Sequence, residues 1–262
     1  MPANSAVDEG LNEGPALEVN GAVATITLQR PGFANRIERE DLAAIRSHVA
    51  RVNALDRVTV LRITATGKNF CSGYNLVSLE EALGGDADDF GVMVDEIENA
   101  RPVTIAAING GVYGGATDLC LSCDFRIGVP EAKLQMPALK LGVHLYGSGL
   151  ERYVSRLGID AAKRMLLTCE KIDSSTMLQL GFLTSIAPAD GLHASVDKLT
   201  AVLGAMSPGA MLSVKKHLNR IARGVLSPQD LAADIQRVRD SADSREGLLS
   251  WAEARPPVYT GN

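Results

Sequence analysis

The chain has 262 residues, of which 46% are hydrophobic and 22% charged, with 25 glycines. That is an ordinary globular composition; it excludes collagen, disorder and coiled coil, and it allows one large core. A net charge of −5 argues against a general nucleic-acid or anionic-membrane surface, and no stretch reaches the roughly 18 apolar residues that a spanning helix needs.

Residues 1–15 are polar and acidic, without the basic start and apolar middle of a signal peptide, and are expected to form a flexible N-terminal segment. The runs 17–19 and 23–28 flank Asn20-Gly21, the strongest short-range hairpin signal. Leu42, Ile45, Val49 and Val52 recur at helical spacing and predict a helix over 38–54. A strand is expected over 58–63, then a glycine-bearing loop, then an amphipathic helix over about 89–100 that stops before Arg101-Pro102. Residues 103–108 read as a buried strand, broken by the glycines of 109–115; a helix over 116–122 and a strand over 124–129 follow. Strands alternating with helices imply an α/β fold. Beyond Gly147 the segments 148–157, 160–167, 174–180, 194–205, 210–221 and 242–254 all favour helix, with no repeat and no linker between independent domains.

Four cysteines (Cys71, Cys120, Cys123, Cys169) are too few for a disulfide scaffold, which points to reduced thiols and a cytoplasmic protein. Cys120 and Cys123 have half the spacing of a zinc site, but no second half completes it, so no metal is expected.

The chemistry is expected where strands end in glycine, because bare N–H groups at a helix start can hold an anion or a developing oxyanion. Two segments have this form, 69–76 and 109–118. A phosphate-binding loop would need Lys and then Ser or Thr after the last glycine, whereas Ala116 and Thr117 follow Gly115. A dinucleotide fingerprint fails as well, because Val112 breaks the glycine spacing and Arg152 stands for the third glycine after Gly147 and Gly149.

The run Phe70-Cys-Ser-Gly-Tyr-Asn-Leu76 resembles a motif of the enoyl-CoA hydratase/isomerase (crotonase) family. Arg101 to Gly110, Tyr113 to Leu119, Cys123-Asp124, Leu134 to Pro137, Leu141-Gly142 and Gly147 to Arg152 continue the likeness in register, and it extends over about 16–261. The resemblance implies a crotonase-like ββα spiral core over 16–206 and a helical C-terminal trimerisation region over 207–262. It implies a homotrimer or dimer of trimers, an acyl-CoA thioester as ligand and no separate cofactor, since the substrate carries coenzyme A. Carried over by position, the N–H groups of Tyr74 and Gly115 would form an oxyanion hole. Asp118 would be the catalytic carboxylate, a shortened form of the family's glutamate. Asn35, Arg36, Ser72, Gly73, Asn75, Leu76, Gly114, Ala138 and Trp251 would meet the substrate or its CoA moiety.

Hydratases of that family carry a second glutamate after the proline of the Leu134–Pro137 motif, where this chain has Ala138. Alanine moves no proton, so the resemblance leads away from standard hydration and leaves other enolate chemistry. Tyr146 lies where some relatives with other activities carry a catalytic aspartate, His144 stands close to it in the chain, and both are candidates, with pocket packing as the alternative for each. The sequence thus points to an acyl-CoA enzyme that stabilises a thioester enolate with one carboxylate for proton transfer. The alternatives are a decarboxylase, a hydrolase or an inactive CoA-ester-binding subunit.

Overall fold

The structure is a computed structural model that describes residues 13–75 and 86–261, without the side chains of 86–88. Residues 1–12 of the expected N-terminal segment, and Leu76, lie outside the described residues.

The hairpin forms as the Asn20-Gly21 signal requires. Strands β1 (Ala16–Asn20) and β2 (Val23–Leu28) pair antiparallel around Gly21, whose φ is +57°. β2 opens a six-stranded sheet in which β3 (Val60–Ala65), β5 (Val103–Ile108), β7 (Phe125–Gly128) and β10 (Ser185–Ile186) follow in parallel. β5 lies in the middle of this sheet, and all six of its residues are buried, which explains its unbroken apolar run. A second sheet has the order β4 (Asn69–Cys71), β6 (Gly111–Tyr113), β8 (Lys133–Gln135), β9 (Ile172–Asp173). Each strand of the large sheet from β3 to β7 is thus followed at once by a short strand of the small one. Helices come after these pairs, so the unit is ββα rather than the simpler βαβ of the propensity reading.

The crossing between sheets is tight. A Cβ on Gly110, between β5 and β6, would lie 1.9 Å from the Lys68 carbonyl oxygen just before β4. Helix α1 (Arg39–Asn53) begins with a reciprocal cap between Glu38 and Asp41, and packs against α2 (Asp86–Glu98). Arg101 fastens the α1–β3 connection by donating to the carbonyls of Leu55 (2.6 Å) and Val58 (2.7 Å). Helix α3 (Gly115–Ser122) follows β6 and is buried along most of its length. After β8 come α4 (Gly147–Leu157), α5 (Ile159–Thr168) and α6 (Ser174–Gln179).

Beyond β10 the described chain is helical: α7 (Leu192–Gly204) lies across β3, β5 and β7, and α8 (Pro208–Ala222), α9 (Pro228–Asp240) and α10 (Ala242–Ala252) follow. Lys215 of α8 ties this region to the sheet, with Nζ 2.8 Å from Asp124 Oδ2; Asp124 in turn accepts from the N–H of Thr104 in β5. The helix α9 is absent from the sequence expectations. Its start signals are present, with Ser227 capping Asp230 N–H and Pro228 in the first turn. Its apolar face is reduced to Leu231, Ile235 and Val238, too sparse to stand out beside polar neighbours. No described helix is long and apolar enough to cross a membrane.

Replacing Gly110 by Ala forces its methyl group against backbone rather than a movable side chain. We expect a loss of about 1–3 kcal/mol or more, read as a lower urea midpoint.

Candidate active site

The two glycine-bearing turns of the sequence meet in space. Gly73, with φ +95°, carries the chain from β4 over the turn before α3; a Cβ on it would lie 2.7 Å from Tyr113 O and 3.0 Å from Gly115 N. Gly114, with φ +55°, reverses the chain there, and its own N–H bonds Gln135 O at 3.0 Å. Gly115 is the first residue of α3, so its N–H has no carbonyl one turn earlier within the helix. Tyr74 and Gly115 therefore come together at a helix N-terminus, where partial positive charge favours a developing oxyanion.

Of the residues expected around coenzyme A, Asn35, Arg36, Ser72, Gly73 and Asn75 gather in a strip where 34–37 zips onto 72–75. Ser72 N–H donates to Ala34 O, Ile37 N–H to Gly73 O and Asn75 N–H to Ile37 O, each at 2.9 Å. Asn35 is buried and internally committed: Oδ1 accepts from Arg30 N–H, and Nδ2 donates to Thr66 O and Asn69 O. Its amide holds the strip to β4, leaving ligand contact to its neighbours. Arg36 lies over the Phe33 ring and donates to Glu38 Oε1 at 2.7 Å, while Asn75 donates to Glu38 Oε2 at 2.6 Å. Partial burial works against the Glu38 charge, yet the Asn75 and Arg36 hydrogen bonds hold its carboxyl below the usual range.

Asp118 sits one turn into α3, only 2% exposed. The fully buried Arg152 of α4 grips it in a fork, with Nε 2.9 Å from Oδ1 and Nη2 2.8 Å from Oδ2. Tyr146, the N-cap residue of α4, donates its hydroxyl to the same Oδ2. Burial and the neighbouring Asp118 charge push the Tyr146 phenol well above its ordinary pKa, so it remains protonated. Arg152 also donates through Nη1 to Asp95 Oδ1 (2.6 Å) and Glu98 Oε2 (3.0 Å) of α2. Glu98 in turn takes Arg156 of α4 and Arg223 beyond α8. Arg152, Arg156 and Arg223 thus interlock with Asp95, Glu98 and Asp118, and Arg223 reaches the more exposed Glu151 as well. Burial opposes the Arg152 charge, but the Asp118 and Glu98 partners more than offset it and raise its pKa.

The Tyr146 ring is seated by two missing side chains. A Cβ on Gly91 of α2 would lie 2.9 Å from Tyr146 Cδ2, and one on Gly149 of α4 would lie 3.0 Å from its Cε2 and 3.2 Å from Asp118 Oδ2. Phe90, one residue before Gly91, places its ring against Gly115 and stands 5.6 Å from the Tyr74 ring and 6.4 Å from that of Tyr146, centroid to centroid.

The other candidates lie apart. His144 is exposed, with Nδ1 2.6 Å from Leu145 O, and it makes no bond to Asp118. Ala138 is the buried first residue of an otherwise exposed 3₁₀ turn over Ala138–Leu141 and offers no proton. Trp251 is 87% exposed on α10, touching none of the residues above. Cys120 and Cys123 are buried, and burial pushes the Cys123 thiol up to about 12; no cluster of metal-ligating side chains occurs among the described residues.

Arg152 is the residue to which the sequence reading gave no role, entering there as the end of a matched segment and as the break in a glycine pattern. A signal existed: Gly149, Arg152 and Tyr153 form the buried stripe of α4, and an arginine on such a stripe requires a buried partner. Phe90 and Glu98 were likewise unassigned, because both depend on where α2 docks.

The family model for enoyl-CoA hydratase/isomerase matches residues 18–262. A crotonyl-CoA hydratase of Syntrophomonas wolfei is 26% identical over 91% of this chain and 95% of its own. An enoyl-CoA isomerase/hydratase of Mycosarcoma maydis is 28% identical over 90% and 92%. Among solved structures, an enoyl-CoA hydratase from Bacillus anthracis superposes with a TM-score of 0.86 at 23% identity, over 95% of this chain and all of the other, and so shares the fold.

Replacing Arg152 by Met strands Asp118 beside Glu98 and Asp95. The expected cost is about 3–5 kcal/mol in chemical denaturation at neutral pH. It should shrink as pH falls into the carboxylate range, because the native state of the variant then takes up protons that discharge the stranded groups.

Proposed function

The chain belongs to the enoyl-CoA hydratase/isomerase family, and from that premise we propose that it processes an acyl-CoA thioester by stabilising the thioester enolate at the Tyr74 and Gly115 amides. The observation that carries this reading is the crossing of the Gly73 turn on the first residue of α3, which brings those two peptide units together. A thioester carbonyl gains negative charge as its enolate forms, and each aimed donor contributes about 2.7–4 kcal/mol to such a step.

Proton transfer falls to Asp118 and Tyr146 as a unit. Both Asp118 oxygens accept from Arg152, so the mobile proton is the one on Tyr146 Oη. A thioester α-carbon holds its proton more tightly than even a buried phenol, so Tyr146 can quench an enolate: its O–H bond breaks as the C–H bond forms. Arg152 offsets the charge left on the phenolate. Hydration asks for more, because water addition benefits from a second acid–base group, and Ala138 supplies none. A missing group of that kind typically costs about 10²–10⁴-fold.

One observation favours decarboxylation within this reading. With Asp118 forked by Arg152 and alanine at 138, no unencumbered carboxylate is assembled among the described residues of the site to pull an α-proton or activate water. Loss of carbon dioxide needs neither. The bond from the α-carbon to the carboxylate breaks, its electron pair moves onto the thioester oxygen, and the Tyr146 proton goes to the α-carbon. Assembly into a trimer or dimer of trimers belongs to the same proposal. It is supported by the apolar side chains that α8 and α10 leave exposed, among them Val214, Leu218, Ile221, Leu248 and Trp251.

Mass spectrometry of saturated, enoyl and malonyl-type CoA thioesters incubated with the protein in heavy water tests the chemistry. Loss of carbon dioxide with one deuterium gained is expected from the malonyl type, slowed about 10²–10⁴-fold by Tyr146→Phe. Thioesters that bind but stay intact throughout would instead make the chain a binding subunit. For assembly, Leu218→Glu should lower the mass measured by light scattering to that of a smaller species.

A further inference from the structure

We propose that Phe90 sets the length of acyl group the site accepts, and that the preferred substrates carry short acyl chains. The proposal rests on the acyl-CoA reading above and adds a residue and a substrate class to it. Both residues whose amides are assigned to the thioester oxygen meet the same Phe90 ring. Gly115 meets it at Cα, where an added Cβ would lie 2.8 Å from Cζ and 2.9 Å from Cε1. Tyr74 meets it ring to ring, tilted by 43°. Phe90 is only 3% exposed, so the ring already occupies this space rather than standing at its mouth.

On the far side the Tyr146 ring closes the wall, itself backed by Gly91 and Gly149. Tyr74, Phe90 and Tyr146 therefore form one aromatic face beside the oxyanion position. An oxygen about 3 Å from the Gly115 amide leaves the carbons attached to its carbonyl within contact range of that face. A compact acyl group fits against it. A long chain has to displace Phe90, whose ring is held on both flanks, and even one misfitting methylene in such a pocket discriminates by about 10–200-fold.

Titration calorimetry of the full chain with acetyl-, butyryl- and decanoyl-CoA reads this directly, for the wild type, Phe90→Ala and Phe90→Leu, with thermal melts alongside. The wild type should bind butyryl-CoA at least about tenfold more tightly than decanoyl-CoA. Phe90→Ala should narrow or invert that ratio by about tenfold or more, with Phe90→Leu between. Phe90→Leu carries the test if the alanine variant fails to melt cooperatively. An equal ratio in the wild type and the folded variants overturns the role of Phe90 while leaving the acyl-CoA reading standing. A wild type that binds none of the three thioesters overturns that reading, and this inference with it.

Discussion

A guanidinium without access to water has to be surrounded, and the arrangement of this molecule around Arg152 follows from that requirement. Its donors go to Asp118 on α3 and to Asp95 and Glu98 on α2, while Arg152 itself belongs to α4. Three helices from separate stretches of the chain are thereby held in one register. Displacing any of them would expose the cost of a buried ion that has lost its partners, which exceeds the cost of an ordinary packing defect. Tyr146 and the first turn of α3 inherit their positions from this clamp. The candidate site is built on this clamp.

The same geometry separates two roles that a single carboxylate would otherwise combine. Asp118 supplies fixed negative charge and a hydrogen-bond acceptor, while the proton sits on Tyr146, whose hydroxyl it orients. Charge and proton are then set by different residues on different helices. A shortened acidic side chain suits this division, because it lies close to α3 and leaves the phenol to reach outward. Lys215 and Asp124 do comparable work at the other end of the sheet, fastening the C-terminal helices to β5 through a buried ion pair.

What the sequence made legible was whatever has a local cause. The Asn20-Gly21 hairpin, the α1 stripe and the unbroken apolar run of β5 each follow from residues a few positions apart. The paired sheets were visible only through the family resemblance, because β4, β6 and β8 have three residues each, too few for any period to show. Asp118, Tyr74, Gly115 and Tyr146 became candidates for the same reason, by position against the family. The Asn35 amide serves backbone groups of 30, 66 and 69, a commitment that appears only once those segments meet. His144 is two positions from Tyr146, yet it is exposed where Tyr146 is half-buried against Asp118, a difference that proximity in sequence does not reveal. Arg152 and Phe90 act through partners 34 and 25 positions away, beyond any local pattern.

The buried centre of this network, Arg152 with Asp118 and Glu98, bears on how this chain can drift over generations. A single replacement there leaves an unpaired charge in the interior, and a neutral set is reached only through that unstable intermediate. Change at these three positions is therefore constrained to come in couples, or to wait for a neighbouring substitution that first lets water in. Tyr146, which touches the set without contributing to its charge, escapes this restriction. Under the chemistry proposed above, the phenol position is free to vary while the ionic frame beneath it stays fixed, which gives a lineage a route to new reactions without rebuilding its core.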